Sequence, residues 1–373
     1  MRDRVSKLQD SLKKDDVDLA ILTDRENIIY FTGITEIEAA GLVIPKSGEA
    51  FLVVLWLEAP YYSDKTEMEI VPYVYGRDTL ASKMADEILE RKLDYKDSYF
   101  SRYFIETATY LTLRKKLPGL NILDGGEVFY KVRSIKDEEE IENIKKASEI
   151  VSKGMEKAVE VIKTGMREIE IIGEAEKVMR YEGAQEFPFR MQVLNEDRQM
   201  MAHPFALNEV IKDNQLVVIH LGARFNGYSS KMTRTVQLGE VDEDKIEIYN
   251  ILKEAQKTAM EKVRPGMTAG ELYAAAGEVV NNSKYPNSLI YSIGHGVGIR
   301  QSEFYPIIAK NSNVIIENNM VLDFIYPSLY VKGKGGARIC DTLLVKDGAK
   351  VLTKYTNDLV VKNRRIIWRE LIS

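Results

Sequence analysis

Three histidines and one cysteine are the chain's whole complement of those residues, and all four stand where they could do chemistry. A neutral imidazole can bind a metal, move a proton or pack a loop. Asn226-Gly227 is a strong two-residue hairpin signal, and pairing outward from it sets Gly222 opposite Lys231. His220 and Lys231 are then diagonal neighbours on one sheet face. Repulsion from the lysine keeps His220 neutral, and its flanking Val217, Val218 and Ile219 favour a hydrogen-bonded core position. A lysine facing a pocket loses hydration unless an anion meets it, so Lys231 is expected to touch a ligand or a carboxylate such as Glu303. Cys340 reads as a small buried apolar side chain, or, more sharply, as a thiolate activated by Lys231 or a histidine. His220, His295 and Cys340 are ligand types that zinc accepts, though with Lys231 beside them. His203, in Met200-Met201-Ala202-His203-Pro204, lies in a loop-like context.

The elements that position these residues fall into two parts. Val5, Leu8 and Leu12 form a helical stripe, and Leu19 to Leu22, Ala39 to Ile44 and Ala50 to Leu55 read as strands, the last two joined by a turn over Pro45 to Gly48. Thr79 to Leu93 reads as a helix. A long helix is expected from near Ser134, capped by its hydroxyl and stopped by Gly165, with Ile141, Ile144, Ala147, Val151, Met155, Val159 and Ile162 on its apolar stripe. Gly165-Met166 with Glu170-Ile171, Ala175 and Val178 matches Gly266-Met267 with Glu271-Leu272, Ala276 and Val279 at a constant offset. Each copy precedes strand-like runs, Leu216 to Leu238 and Met320 to Val345, which implies two related halves with a pocket between them.

At 373 residues the chain is long enough for two domains. Its formal charge of −5 is spread without long blocks, which argues against a nucleic-acid surface. The charged first residues do not read as a signal peptide, and the longest apolar runs are strand-length, so no membrane span is expected. A single cysteine fits a reducing cytoplasm.

Several motifs in a fixed order resemble the pita-bread family of Xaa-Pro dipeptidases, Xaa-Pro aminopeptidases and creatinase. They are Ala20 to Gly33 (AILTDRENIIYFTG), Arg133 to Ile144 (RSIKDEEEIENI), Asn226-Gly227-Tyr228 with Met232-Thr233-Arg234-Thr235, the glycine-flanked His295 loop from Gly294 to Gly298, and Gly336-Ala337-Arg338 with Asp341-Thr342. The resemblance implies a mixed α/β (α+β) protein: a small creatinase-like α/β domain over residues 1–128, then a pseudo-twofold pita-bread domain over 129–358. That second domain would carry a curved antiparallel sheet with covering helices. A tail over 359–373 follows, whose Ile366, Ile367, Trp368 and Leu371 would close the domain as a short helix or add to a dimer interface.

Family peptidases hold two divalent metals with two Asp, one His and two Glu, and a bridging hydroxide attacks the scissile carbonyl. Carried over residue by residue, the Asp positions are His220 and Lys231, and the histidine is His295. The first Glu falls on Ile325 or Tyr326, and the second on Cys340. A further family histidine is Ser302 here, followed by a retained Glu303, while His203 matches the histidine ahead of the first metal hairpin. A lysine about 4 Å from a dication would cost on the order of 8 kcal/mol at an effective dielectric of about 20. The expectation is no metal cofactor, with His203, His295 and Lys231 as catalytic groups. His220, Arg300, Glu303, Tyr326, Arg338 and Cys340 would line the substrate side, while Arg234 would ion-pair within the sheet. Arg300 stands where the family has an acidic residue, and Lys231, Arg300 and Arg338 together would suit a carboxylate-bearing ligand. The resemblance implies a homodimer acting on a small molecule or dipeptide. Three functions are open: a metal-independent hydrolase of a small C–N substrate, a non-catalytic binding protein, and an ordinary Xaa-Pro peptidase.

Overall fold

The structure is a computed structural model that describes residues 2–101, 105–201, 204–324 and 329–362. The chain divides into two units, Met1–Arg133 and Ser134–Ser373. The division falls beyond the cut expected after residue 128 because a helix over Gly126–Ser134 crosses that position.

In the first unit β1 (Leu19–Leu22), β2 (Ala40–Pro45), β3 (Phe51–Leu55), β4 (Glu69–Tyr73), β5 (Asp97–Phe100) and β6 (Asn121–Asp124) form one mixed sheet in the order β4-β3-β2-β1-β5-β6. The apolar runs read from the sequence become the buried strands β1 to β3, and Gly48 supplies the positive φ that their turn requires. Thr79 and Ser82 cap each other at the start of the Leu80–Glu90 helix, whose Met84, Ala85 and Ile88 pack on the sheet.

The second unit opens with a helix over Glu138–Val161. Its N-cap is Asp137, reciprocally bonded with Glu140, rather than Ser134, which still belongs to the preceding helix. Val161 is its last helical residue, and Gly165 instead makes the left-handed turn into the next helix, Glu168–Tyr181. The repeat seen in the sequence recurs in the backbone. The Gly165 N–H binds the Ile211 carbonyl, and the Gly266 N–H binds the Ile316 carbonyl. The second copy likewise enters a helix, Ala269–Asn281.

Strands β7 (Gln192–Leu194), β8 (Gln215–Phe225), β9 (Tyr228–Leu238) and β17 (Val360–Lys362) form one sheet in the order β17-β9-β8-β7. Strands β10 (Ser292–Gly296), β11 (Glu303–Ala309), β12 (Val321–Phe324), β15 (Asp341–Val345) and β16 (Ala349–Val351) form the other, ordered β11-β10-β12-β15-β16. Strands β13 (Leu329–Val331) and β14 (Gly335–Ala337) make a separate ribbon. Each large sheet packs its apolar face on one helix pair, through Val217, Ile219 and Met232 in one half and Leu322, Phe324 and Leu343 in the other. Backbone bonds between Thr233 and Cys340 join the two sheets, which brings the His220–Lys231 hairpin up to Cys340. This is the pseudo-twofold arrangement expected from the repeat.

Candidate active site

The β8–β9 hairpin has the register that Asn226-Gly227 dictates: Gly222 faces Lys231 and His220 faces Thr233. Lys231 is wholly buried. Its ammonium meets Asp323 Oδ2 on β12 at 2.5 Å, with 1% and 0% of the two side chains exposed. The ammonium also donates to Ser302 Oγ at 2.9 Å. Asp323 Oδ1 accepts the backbone N–H of His295 and lies 3.7 Å from that residue's Nδ1. Lys231, Asp323, His295 and Ser302 therefore form one connected group.

Burial alone would raise the Asp323 pKa, but the adjacent Lys231 charge and the His295 contacts outweigh it and hold the carboxyl at about 2. The carboxylate is thus ionised at neutral pH. The expectation that an anion meets Lys231 is met by a carboxylate of the chain itself, Asp323. Asp323 is not among the residues singled out in the sequence. An acidic residue inside the apolar run Val321–Phe324 and a lysine inside the buried β9 were the available signal, since each needs a partner.

His220 is buried, hydrogen-bonded through Nδ1 to Thr233 Oγ1 at 2.6 Å and stacked on Phe189 with ring centroids 4.4 Å apart. Gly222 makes room for that stack, because a Cβ there would lie 2.5 Å from Phe189 Cε1. Burial first, then the Lys231 and Arg338 charges, push the His220 pKa well down, so the ring is a neutral core residue. Glu303 is buried and accepts the Arg300 backbone N–H at 3.1 Å.

Two expectations are corrected. Arg338 was expected to orient a substrate; it is buried, and its guanidinium binds the Gln199 carbonyl, the Met201 carbonyl at 3.1 Å and Gln192 Oε1 at 3.2 Å. It therefore holds the backbone of the loop leading toward His203. Cys340, placed on the substrate side, is instead enclosed as the small buried side chain first read; burial drives its pKa strongly upward and the Lys231 charge does not offset that, so the thiolate alternative falls. We expect Cys340 to be inert to Ellman's reagent in the native protein at pH 8 and to react stoichiometrically in guanidinium chloride. Release of the chromophore from native protein would contradict its enclosure. Arg234 behaves as expected, pairing with Asp341 at 2.7 Å. His203, Ile325 and Tyr326 lie outside the described residues, as does the tail beyond Lys362.

Residues 142–347 match the model of metallopeptidase family M24, and residues 4–135 match the creatinase/prolidase N-terminal domain. The chain is 33% identical to the Xaa-Pro dipeptidase of Pyrococcus furiosus, over 96% of this chain and 100% of that protein. The chain belongs to metallopeptidase family M24. The M24 chain is also 31% identical to the Xaa-Pro dipeptidase of Pyrococcus horikoshii, covering 96% of itself and 99% of the relative. Among solved structures it resembles the Xaa-Pro dipeptidase from Bacillus anthracis, with a TM-score of 0.87 at 26% identity over 97% and 99% of the two chains. It also resembles the prolidase from Pyrococcus furiosus, with a TM-score of 0.83 at 30% identity over 93% and 99%.

The residues present do not fit the two-metal centre implied by the resemblance. At the two Asp positions the M24 chain has a buried neutral imidazole and an ammonium already paired with Asp323. At the second Glu position it has an enclosed thiol. Among the described residues, no three His, Cys, Asp or Glu side chains are grouped so as to hold a metal ion. Nor is any described helix long and apolar enough to cross a membrane.

Proposed function

We propose that this M24 protein is a prolidase-like hydrolase of a small C–N substrate that works without the family's metals. The observation supporting this reading is the Lys231–Asp323 pair, 2.5 Å apart and enclosed, at a position where the resemblance implies a carboxylate ligand. The lysine supplies the fixed positive charge of the pocket, and its own aspartate neutralises it. His295, with 17% of its side chain exposed and Asp323 beside its Nδ1, is the proton-transfer group, and His203 is a second candidate from the sequence. In a general-base role His295 takes a proton during attack on the carbonyl or amidine carbon and returns it to the departing nitrogen. Lys231 stays protonated throughout and stabilises negative charge developing beside it. The ligand class is a dipeptide or another small carboxylate-bearing C–N compound. We place the protein in the cytoplasm as a homodimer.

The test is turnover of Xaa-Pro dipeptides, guanidino compounds and cyclic amidines by protein exhaustively treated with EDTA. We expect turnover to survive the chelator and to fall by about 100-fold or more in His295→Ala. Activity that appears only with added Mn or Co, or an unaltered rate in His295→Ala, would overturn the reading.

A second reading, a binding protein without turnover, is favoured by one feature: Lys231, His220 and Cys340 are all closed off from solvent. A ligand would then meet only partly exposed groups such as His295 and Ser302. Stabilisation by small carboxylates in a thermal-shift assay, with no turnover in the first experiment, would select this second reading.

A further inference from the structure

We infer that Ser302 is the covalent nucleophile of this pocket, an inference that rests on the C–N hydrolase reading above. A lysine ammonium has donors and no acceptor. In the 2.9 Å contact, Ser302 Oγ must therefore accept from Lys231, and the hydroxyl's own proton points elsewhere. Asp323, 2.5 Å from the ammonium, keeps Lys231 charged, so the lysine cannot serve as the base. What it does is lower the cost of negative charge on the serine oxygen that it already touches.

The accessible side of the group belongs to Ser302 and His295. Both residues are partly exposed, whereas Lys231 and Asp323 behind them are buried. Both adjoin the Lys231–Asp323 pair from neighbouring strands, His295 on β10 beside Asp323 and Ser302 just before β11 on the Lys231 ammonium. A hydroxyl held by a fixed cation, and an imidazole on the other side of the same ion pair with its Nδ1 3.7 Å from the carboxylate, supply a nucleophile and a base that a bound substrate would bring together.

In the reaction, Ser302 Oγ bonds to the carbonyl or amidine carbon and its proton passes to His295. The C–N bond then breaks, its electron pair leaving with the nitrogen, which takes that proton back from the imidazolium. The product of this half is a free amine and an ester on Ser302 from a carbonyl substrate, or an imidate from an amidine. Water, deprotonated by His295, adds to the ester or imidate carbon, and the bond to Oγ breaks as Oγ regains the proton. No oxidant or metal takes part.

The test is labelling of EDTA-treated full-length protein with an alkyl fluorophosphonate, read by intact mass and peptide mapping. We expect a single adduct per chain on Ser302, formed with loss of fluoride, absent in Ser302→Ala and slowed in His295→Ala. No adduct on folded wild-type protein, or equal labelling of Ser302→Ala, would overturn the inference. The label needs no substrate, so this outcome is read even if no C–N substrate is turned over. Conversely, chelator-resistant turnover that persists in Ser302→Ala would sink the nucleophile and leave the hydrolase reading standing. Ser302→Thr, which keeps a hydroxyl, is expected to retain the fold and some labelling, which separates lost chemistry from lost folding.

Discussion

Lys231→Met is expected to destabilise the protein by about 3–5 kcal/mol, because it leaves the Asp323 carboxylate buried without its counter-charge. The thermal midpoint should fall by on the order of 10 °C. Asp323→Asn strands the ammonium instead and should cost a similar amount. In the double variant Lys231→Met with Asp323→Leu neither charge remains, and most of the loss should return, since a buried ion pair replaced by apolar groups is often neutral or better. This non-additivity distinguishes a true pair from two independently important residues.

The pair also sets an acid limit. Asp323 is held at about 2 against an ordinary 3.8, so its folded pKa is depressed. Its contribution is therefore complete above the unfolded value and is lost as pH falls from near 4 toward 2. The difference amounts to roughly 2 kcal/mol. Denaturant titrations across that range should show the loss in wild type and a flatter profile in Asp323→Asn. An identical acid limb in both proteins would remove Asp323 from the account.

Arg234→Met should be comparably damaging, at about 3–5 kcal/mol, for a related reason at a different place. Arg234 on β9 pairs with Asp341 at the start of β15 and also donates to the carbonyls of Thr233, Cys340, Tyr355 and Thr356. Asp341 accepts further bonds from Gln256, Thr353 and Asn357. Without the guanidinium, a buried carboxylate loses its ionic partner and several carbonyls lose donors. Arg234→Lys should recover little, because a point charge cannot satisfy acceptors spread across the guanidinium's fork. Chemical denaturation checks both variants, and a loss below about 1 kcal/mol in Arg234→Met would show that this network does not hold the seam.

Local rules made much of the fold legible in the sequence. Asn226-Gly227 admits one tight turn, and that turn alone fixes Lys231 opposite Gly222 and sets His220 beside it. The repeated Gly-Met entries predicted two related helix-and-strand halves, and each glycine makes the same kind of positive-φ turn. What stayed hidden was long-range. Asp323 is 92 positions from Lys231, and nothing local in Val321–Phe324 says which basic residue will approach it. Arg338 misled for the same reason: the carbonyls that claim it belong to Gln199 and Met201, far away in the chain. Ser134 lost the capping position to Asp137 because an acidic cap with Glu140 three residues on completes a reciprocal box.

We propose that the Lys231–Asp323 ion pair stands in place of the family's metal charge. Its most direct test is elemental analysis of protein produced with abundant Mn and Co, desalted, and paired with a thermal-shift titration against Mn(II). The account predicts far less than one metal per chain and no Mn-dependent rise in the midpoint. A site filled at about 100 times its Kd would add about 2.7 kcal/mol and be plainly visible. Two metals per chain, or a saturable stabilisation by Mn(II) abolished in His295→Ala, would contradict it.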